Sequence, residues 1–224
     1  MSNVPLYPVF LSLKHTACLI AGFGRVGKRK LAGLIPSAPL SISIFDPFAD
    51  APEFSGSNII FYNRPCSRDD IKKATLVFAC ADENENARIA AICEESRILC
   101  DAASDPGRGS FIVPAVARVG DLAVAVSTSG GSPAFARKMK TELRDWLKSR
   151  YRTAKLLKAL RPLILMEIGE QSEREKIFYD LIESPLPELL DGDSIANRAA
   201  CLDCLVSRLP FLKRDRLAAL LERV

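Results

Sequence analysis

The sequence predicts an α/β fold: a parallel sheet with helices on both faces, then a small α+β segment, then a helical C-terminal region. Short apolar runs alternate with helix-forming segments from residue 17 to residue 100, which is typical of a parallel sheet. After Pro106 the pattern changes to two apolar runs around a Gly-Asp turn, which predicts a hairpin. We therefore predict three parts, with the bounds 1–106, 107–150 and 151–224.

The first apolar run, Ala17 to Ala21, is followed by the motif Gly-x-Gly-x-x-Gly, formed by Gly22, Gly24 and Gly27. A helix is predicted from about Val26 to Leu34, so the motif has the strand and helix context of a dinucleotide-binding fingerprint. The first glycine permits a tight turn, the second lets the backbone approach a pyrophosphate, and the third lets the helix pack closely on the sheet. The pyrophosphate would lie at the positive end of the helix dipole. The motif therefore predicts a Rossmann-like sheet.

The other predicted strands of this sheet are Leu40 to Phe45, Asn58 to Tyr62, Leu76 to Ala81 and Arg97 to Cys100. The first of them ends at Asp46, where an acid binds the ribose hydroxyls of NAD and disfavours the 2′-phosphate of NADP. The alternative is that Asp46 and Pro47 only form a turn. We expect NAD to contact a set of residues at these strand ends: Gly22, Gly24, Arg25, Val26, Gly27, Asp46, Pro47 and Ala81.

Composition and charge narrow the class of protein. Hydrophobic residues make up 48% and charged residues 26% of the 224 residues, as in soluble globular proteins. No apolar run reaches the roughly 18 residues that a membrane span needs, and the N-terminus lacks the features of a signal peptide. The net charge of +4 does not indicate nucleic acid, and most of the cysteines lie in apolar runs. We therefore expect buried thiols and a cytoplasmic protein that binds neither membrane nor nucleic acid.

The segment after Pro106 is predicted to form a hairpin and a long helix. The hairpin strands are Ser110 to Arg118 and Leu122 to Ser127, and their apolar surface exceeds what a small hairpin buries alone. A loop rich in serine, threonine and glycine follows, and the helix begins at about Ala134. Breaks in the helical region are predicted near Pro162, Pro185 to Pro187, and Pro210.

The sequence contains no histidine and cysteine pattern that is typical of a structural zinc site. His15 is the single histidine and precedes the first strand. Cys201 and Cys204 have metal-like spacing, but no second pair accompanies them, and on a helix this spacing favours one apolar face. We therefore expect no metal site.

Several stretches, taken in order, carry a resemblance to a known family. They are Tyr7 to Leu13, Cys18 to Lys30, Leu76 to Asn86, Ser110 to Ala115 and Val124 to Arg137. Over roughly residues 5 to 150 the chain resembles precorrin-2 dehydrogenase, which also occurs as the N-terminal half of the bifunctional siroheme synthase. The last two stretches are specific in combination, and the region beyond residue 150 matches only as a helical region.

The resemblance implies NAD-dependent oxidation of precorrin-2 to sirohydrochlorin, with insertion of ferrous iron at the same site in some members. It also implies a homodimer built through the hairpin and helix after Pro106. Because precorrin-2 carries eight carboxylates, its pocket should be positive. The substrate-binding candidates are hydroxyl and basic side chains around the signature stretches: Thr128, Ser129, Arg108, Arg118, Arg137 and Lys138. A helix cap and a solvated surface are the alternatives.

The stretch from Cys100 to Pro106 departs from the family pattern. Family members usually have Asn-x-x-Asp there, and its acid is assigned to dehydrogenation and chelation. In this chain Asp101 replaces the asparagine and Ser104 stands at the position of the acid, with Asp105 next. We expect Asp105 to be the catalytic acid, with Asp101 second and Ser104 also a candidate, unless both acids only form a turn. The alternative functions are a sirohydrochlorin ferrochelatase and a non-catalytic protein that binds a tetrapyrrole or a nucleotide.

Overall fold

A computed structural model describes residues 6–50, 58–192 and 194–224. The residues at the very N-terminus, on which part of the signal-peptide prediction depends, lie outside these ranges. The chain divides into two compact units between Val113 and Pro114. The division into parts at residues 106 and 150 stays a prediction, and residue 150 lies within a continuous helix.

The first unit is built on a parallel sheet, and the predicted Rossmann-like fold is confirmed. The described residues contribute five strands in the order β3-β2-β1-β4-β5. This order places the topological switch point between β1 and β4, where sheets of this kind bind ligands at the carboxyl ends of the strands. The strands are β1 (Ala17–Ala21), β2 (Ser41–Phe45), β3 (Ile59–Tyr62), β4 (Leu76–Ala79) and β5 (Leu99–Ala102).

Helices of the first unit cover both faces of the sheet, because the inner strands are apolar on both sides. Two consecutive residues of β1 show this, because their side chains point to opposite faces. Leu19 belongs to one buried cluster, with residues of α3, and Ile20 belongs to another, with residues of α1. Such two-sided burial explains why these strands are continuous apolar runs. The helices are α1 (Arg25–Leu34), α2 (Arg68–Lys72) and α3 (Glu83–Ser96), and short 3-10 turns lie at Ile35–Ser37 and Pro106–Arg108.

Strand β5 begins later than the predicted strand from Arg97 to Cys100. Arg97 ends α3 in the left-handed conformation, with φ of 56°, and its N–H bonds back to carbonyl oxygens of the helix. The chain becomes extended only after this turn, so Asp101 lies inside β5. The alternative that Asp101 is a turn residue is therefore wrong.

The second unit begins with a hairpin of β6 (Ala115–Val119) and β7 (Leu122–Val126). The first strand is shorter than predicted, since it begins after Pro114, which has no N–H to donate to a strand pair. Both strands pack against the long helix α4 (Pro133–Glu167). Gly120 closes the turn with φ of +53°, and a Cβ there would lie 2.1 Å from the ring of Tyr151.

The predicted break near Pro162 is wrong, because α4 continues through this residue. Leu160, Leu163 and Ile164 flank the proline and are buried against the helices that follow. This burial offsets the backbone hydrogen bond that proline does not donate. The remaining helices are α5 (Gln171–Ile182), α6 (Leu186–Asp191), α7 (Ile195–Arg208) and α8 (Arg214–Leu221). Among the described residues, no helix has the length and apolar character to cross a membrane.

Candidate dinucleotide-binding site

The turn after β1 lies directly against the end of β4. The Gly22 N–H donates to the Phe45 carbonyl oxygen at 2.8 Å, which joins the turn to the end of β2. Gly22 has φ of +89°, and a Cβ there would lie 2.5 Å from the carbonyl of Cys80 and 2.6 Å from the nitrogen of Ala81. Only glycine fits this position, for both its conformation and its contact. The predicted contact residues Gly22 and Ala81 are therefore neighbours at the switch point.

The N-terminus of α1 is open to a ligand. Gly24 is the residue before the helix, no side chain caps it, and a Cβ added to it would meet no atom within 4 Å. Gly27 is the opposite case, because a Cβ there would lie 2.1 Å from the Gly22 carbonyl oxygen. The N–H groups of the first turn, which include those of Arg25 and Val26, are therefore suited to an anion.

Asp46 joins the end of β2 to the glycine turn. One carboxylate oxygen accepts from the N–H of Phe23 at 2.6 Å, and the other accepts from the N–H groups of Phe48 and Ala49 at 2.8 and 2.9 Å. Partial burial alone would raise the pKa of the Asp46 carboxyl, but these three donors outweigh it and lower the pKa below its usual 3.8. The carboxylate is therefore ionised at neutral pH. Asp46 therefore closes a turn that contains the exposed Pro47, as the alternative interpretation predicted, and its contact with a ribose stays a prediction.

Asn86 is a residue of this region that sequence reasoning missed. It is 2% exposed, and its side-chain amide pairs with both backbone groups of Ala81. Oδ1 accepts from the Ala81 N–H at 2.9 Å, and Nδ2 donates to the Ala81 carbonyl at 3.0 Å and to Ser104 Oγ at 3.0 Å. Asn86 lies one turn after the Asp82 cap of α3, and helical side chains lean toward the N-terminus. The four-residue spacing between Asp82 and Asn86 was therefore the sequence signal that could have placed the Asn86 side chain near the start of α3.

Asp101 is buried in β5 and forms an ion pair with Lys30 of α1. The Lys30 ammonium also lies 5.8 Å from the centre of the Phe78 ring. A buried carboxylate requires such a partner, since an unpaired charge in the interior is costly. This placement favours a structural role for Asp101, and its catalytic role stays a prediction.

Asp105 lies at the start of the 3-10 turn after β5. Its carboxylate accepts from the Gly107 N–H at 2.9 Å and pairs with Arg108 Nε at 3.3 Å. Both side chains are about half exposed, and exposed ion pairs of this kind contribute little. The pair therefore leaves Asp105 and Arg108 available to a ligand, although their present contacts are those of a turn.

The loop before α4 holds its hydroxyls against its own backbone. Thr128 Oγ1 accepts from the Ser132 N–H at 3.0 Å, and Ser132 Oγ caps α4 by accepting from the Phe135 N–H at 3.2 Å. Ser129 is exposed and left-handed, with φ of 50°. The basic candidates of this unit are all exposed: Arg118, Arg137 and Lys138.

The C-x-x-C pair lies in the helical core of the second unit. Cys201 is buried, and Cys204 accepts a hydrogen bond from Arg208 Nη1 at 3.3 Å. Among the described residues, no group of three or more histidine, cysteine, aspartate or glutamate side chains could hold a metal ion.

Two sequence-family models match the chain. A model of NAD(P)-binding domains matches residues 9–115, which contain the glycine turn and Asp46. A model of the central domain of sirohaem biosynthesis proteins matches residues 119–145, from the end of β6 into α4.

The curated relatives include siroheme synthases from several bacteria. That of Thioalkalivibrio sulfidiphilus is 30% identical over 189 residues, which are 82% of this chain and 38% of the relative. That of Methylococcus capsulatus is 31% identical over 187 residues, which are 81% of this chain and 39% of the relative. The chain therefore spans about two fifths of the length of these relatives.

A solved structure supports the same fold. It is a precorrin-2 dehydrogenase, SirC, with a TM-score of 0.66 and 18% sequence identity, and the match covers 90% of this chain and 100% of that chain. The first family model matches most of the first unit, the second matches residues 119–145 of the second unit, and the siroheme synthases match most of the chain. The chain belongs to the family that includes the N-terminal half of siroheme synthase.

Proposed function

We propose that this protein catalyses the NAD-dependent oxidation of precorrin-2 to sirohydrochlorin in siroheme biosynthesis. The observation that carries the proposal is the open N-terminus of α1 at the switch point, bordered by an ionised Asp46. Similarity to siroheme synthases and to a precorrin-2 dehydrogenase supports this choice of substrate.

The residues present fit NAD. The space beside Gly24 admits a pyrophosphate, and the first-turn N–H groups of α1 supply its hydrogen bonds. Asp46 retains acceptor capacity for a ribose hydroxyl, because its two oxygens accept from three backbone donors and a carboxylate has about four acceptor sites. When bound, NAD accepts a hydride from the substrate.

The side chains of this protein bind, orient and exchange protons. Loss of a hydride from precorrin-2 is accompanied by loss of a proton, so a nearby carboxylate that takes up a proton assists the reaction. Asp105 is the first candidate, because its carboxylate is half exposed and only weakly held by Arg108. Each unit offers candidates for binding the carboxylates of the substrate: Arg108 in the first unit, and Arg118, Thr128, Ser129, Arg137 and Lys138 in the second.

We also propose a cytoplasmic homodimer. Helix α4 exposes large apolar side chains at Phe135 and Trp146, each about half exposed. Apolar surface of this kind is typical of an interface with another chain.

Replacement of Gly24 by alanine tests the pyrophosphate site. The added methyl meets no atom of the protein within 4 Å, so the thermal midpoint should not change, whereas the dissociation constant for NAD should rise about tenfold or more. Gly33→Ala is the matched control, because it lies in the same helix and its Cβ also meets open space. Calorimetric titration checks both, and unchanged NAD affinity in Gly24→Ala would contradict the site.

The charge of Asp46 should set the choice of cofactor. We expect NAD to bind at least about tenfold more tightly than NADP, because the carboxylate repels a 2′-phosphate. Asp46→Asn should narrow this ratio, and Asp50→Asn, an exposed acid nearby, should leave it unchanged. Tighter binding of NADP by the unaltered protein would sink the assignment.

Incubation with precorrin-2 and NAD, followed by absorbance, tests the reaction. We expect sirohydrochlorin from the unaltered protein and a loss in kcat of about a hundredfold in Asp105→Ala at saturating NAD. Asp101→Ala should instead lower the thermal midpoint, because it leaves the partly buried ammonium of Lys30 without its ion-pair partner. Ser104→Ala should retain kcat.

Full turnover in Asp105→Ala would contradict the assignment of Asp105 as the catalytic acid. Absence of sirohydrochlorin with the unaltered protein would contradict the proposed dehydrogenase activity. Metal insertion without NAD would favour a chelatase.

Light scattering at micromolar concentration tests the assembly, and we expect twice the mass of one chain. Trp146→Glu should shift the protein toward a monomer, because it places a charge in the exposed apolar surface. Met166→Glu, on an exposed position of the same helix, should not. A monomeric unaltered protein would overturn the proposal.

A further inference from the structure

We propose that Asn86 positions Ser104 as a hydrogen-bond donor to the nicotinamide half of NAD. This inference rests on the NAD site proposed above and deepens it by naming a contact and the residue that orients it. It begins from the three hydrogen bonds that the Asn86 side chain makes to Ala81 and Ser104.

The orientation of the Asn86 amide is fixed by Ala81. The backbone N–H of Ala81 requires an acceptor and its carbonyl requires a donor, so a flipped amide would set like groups against each other. Asn86 is buried, and a buried amide keeps such pairs because a hydrogen bond left unmade in the interior is costly. The two Nδ2 hydrogens are thereby assigned, one to the Ala81 carbonyl and one to Ser104 Oγ.

This assignment leaves the hydroxyl hydrogen of Ser104 without an acceptor in Asn86. Ser104 Oγ accepts from Asn86 at 3.0 Å, so its own hydroxyl hydrogen points to another acceptor. The described residues provide none, and Ser104 is exposed. The hydroxyl hydrogen is therefore available to an acceptor outside the protein.

The position of Ser104 selects the nicotinamide half of the cofactor. In the proposed site the adenosine ribose would bind at Asp46, on the β2 side of the glycine turn, and the pyrophosphate at the N-terminus of α1. The other half of a dinucleotide that spans the switch point extends toward β4 and β5. Ser104 follows β5 and is tied to Ala81 after β4. The nicotinamide half presents ribose hydroxyl and carboxamide oxygens as acceptors.

Titration with NAD and with ADP separates this contact from a general effect on the fold, because ADP lacks the nicotinamide half. Ser104→Ala should raise the dissociation constant for NAD about three- to tenfold, the range expected for one hydrogen bond. The dissociation constant for ADP should not change. Ser104→Thr, which keeps the hydroxyl, should restore NAD affinity.

The role of Asn86 is tested by Asn86→Asp. An aspartate at this position would accept a hydrogen bond from the Ser104 hydroxyl, so the hydroxyl hydrogen would point into the protein. The affinity for NAD should therefore fall as it does in Ser104→Ala, while the affinity for ADP should not change. Asn84→Asp is the matched control, because it adds the same charge on an exposed position of α3. The double variant Asn86→Asp with Ser104→Ala should lose no more affinity for NAD than Ser104→Ala alone, because both substitutions act through the same hydroxyl.

The inference is overturned if Ser104→Ala leaves the affinity for NAD unchanged or lowers the affinities for NAD and ADP equally. It is also overturned if Asn84→Asp lowers the affinity for NAD as much as Asn86→Asp does. If Asn86→Asp fails to fold, Ser104→Ala and Ser104→Thr still decide the donor. An unaltered protein that binds NAD without forming sirohydrochlorin contradicts the proposed reaction alone, and the titrations then judge the hydrogen bond. An unaltered protein that does not bind NAD overturns both.

Discussion

Gly22 lies so close to the peptide between Cys80 and Ala81 that a Cβ would stand 2.5 Å from backbone atoms. This contact brings the ends of β1 and β4 together at the switch point and sets the direction in which the chain enters α1. The helix then packs on the turn at Gly27, where a Cβ would also collide with backbone. Because both contacts involve backbone atoms, no side-chain adjustment relieves them. The open space at Gly24 depends on this geometry.

Two carboxylates hold α1 in relation to the sheet, one just before its N-terminus and one near its middle. Asp46 accepts from Phe23 just before the helix, and Asp101 pairs with Lys30 within it. The first carboxylate is exposed enough to meet a ligand, and the second is buried beside Phe78. The same residue type therefore has two roles, which solvent access and the available donors decide. The helix is therefore joined to residues of the sheet on both sides of β1.

The second unit shows how burial overrides local preference. Pro162 would end an isolated helix, yet α4 continues because the residues around it form the core with the later helices. In the loop before α4, Thr128 and Ser132 satisfy backbone N–H groups rather than standing free. A ligand that uses the Thr128 hydroxyl would therefore share it with the loop or displace the Ser132 N–H.

The sequence by itself determined the sheet, the glycine turn and the place of Asp46, because strand periodicity and the glycine spacing are local properties of the chain. The same local reasoning placed Asp101 among possible turn residues and assigned no role to Asn86. Those residues depend on partners far away in sequence: Lys30 for Asp101, and Ser104 for Asn86. Strand register and helix packing bring such side chains together. Only the tertiary structure therefore decided which charged groups are paired in the interior and which hydroxyl is joined to the Asn86 amide.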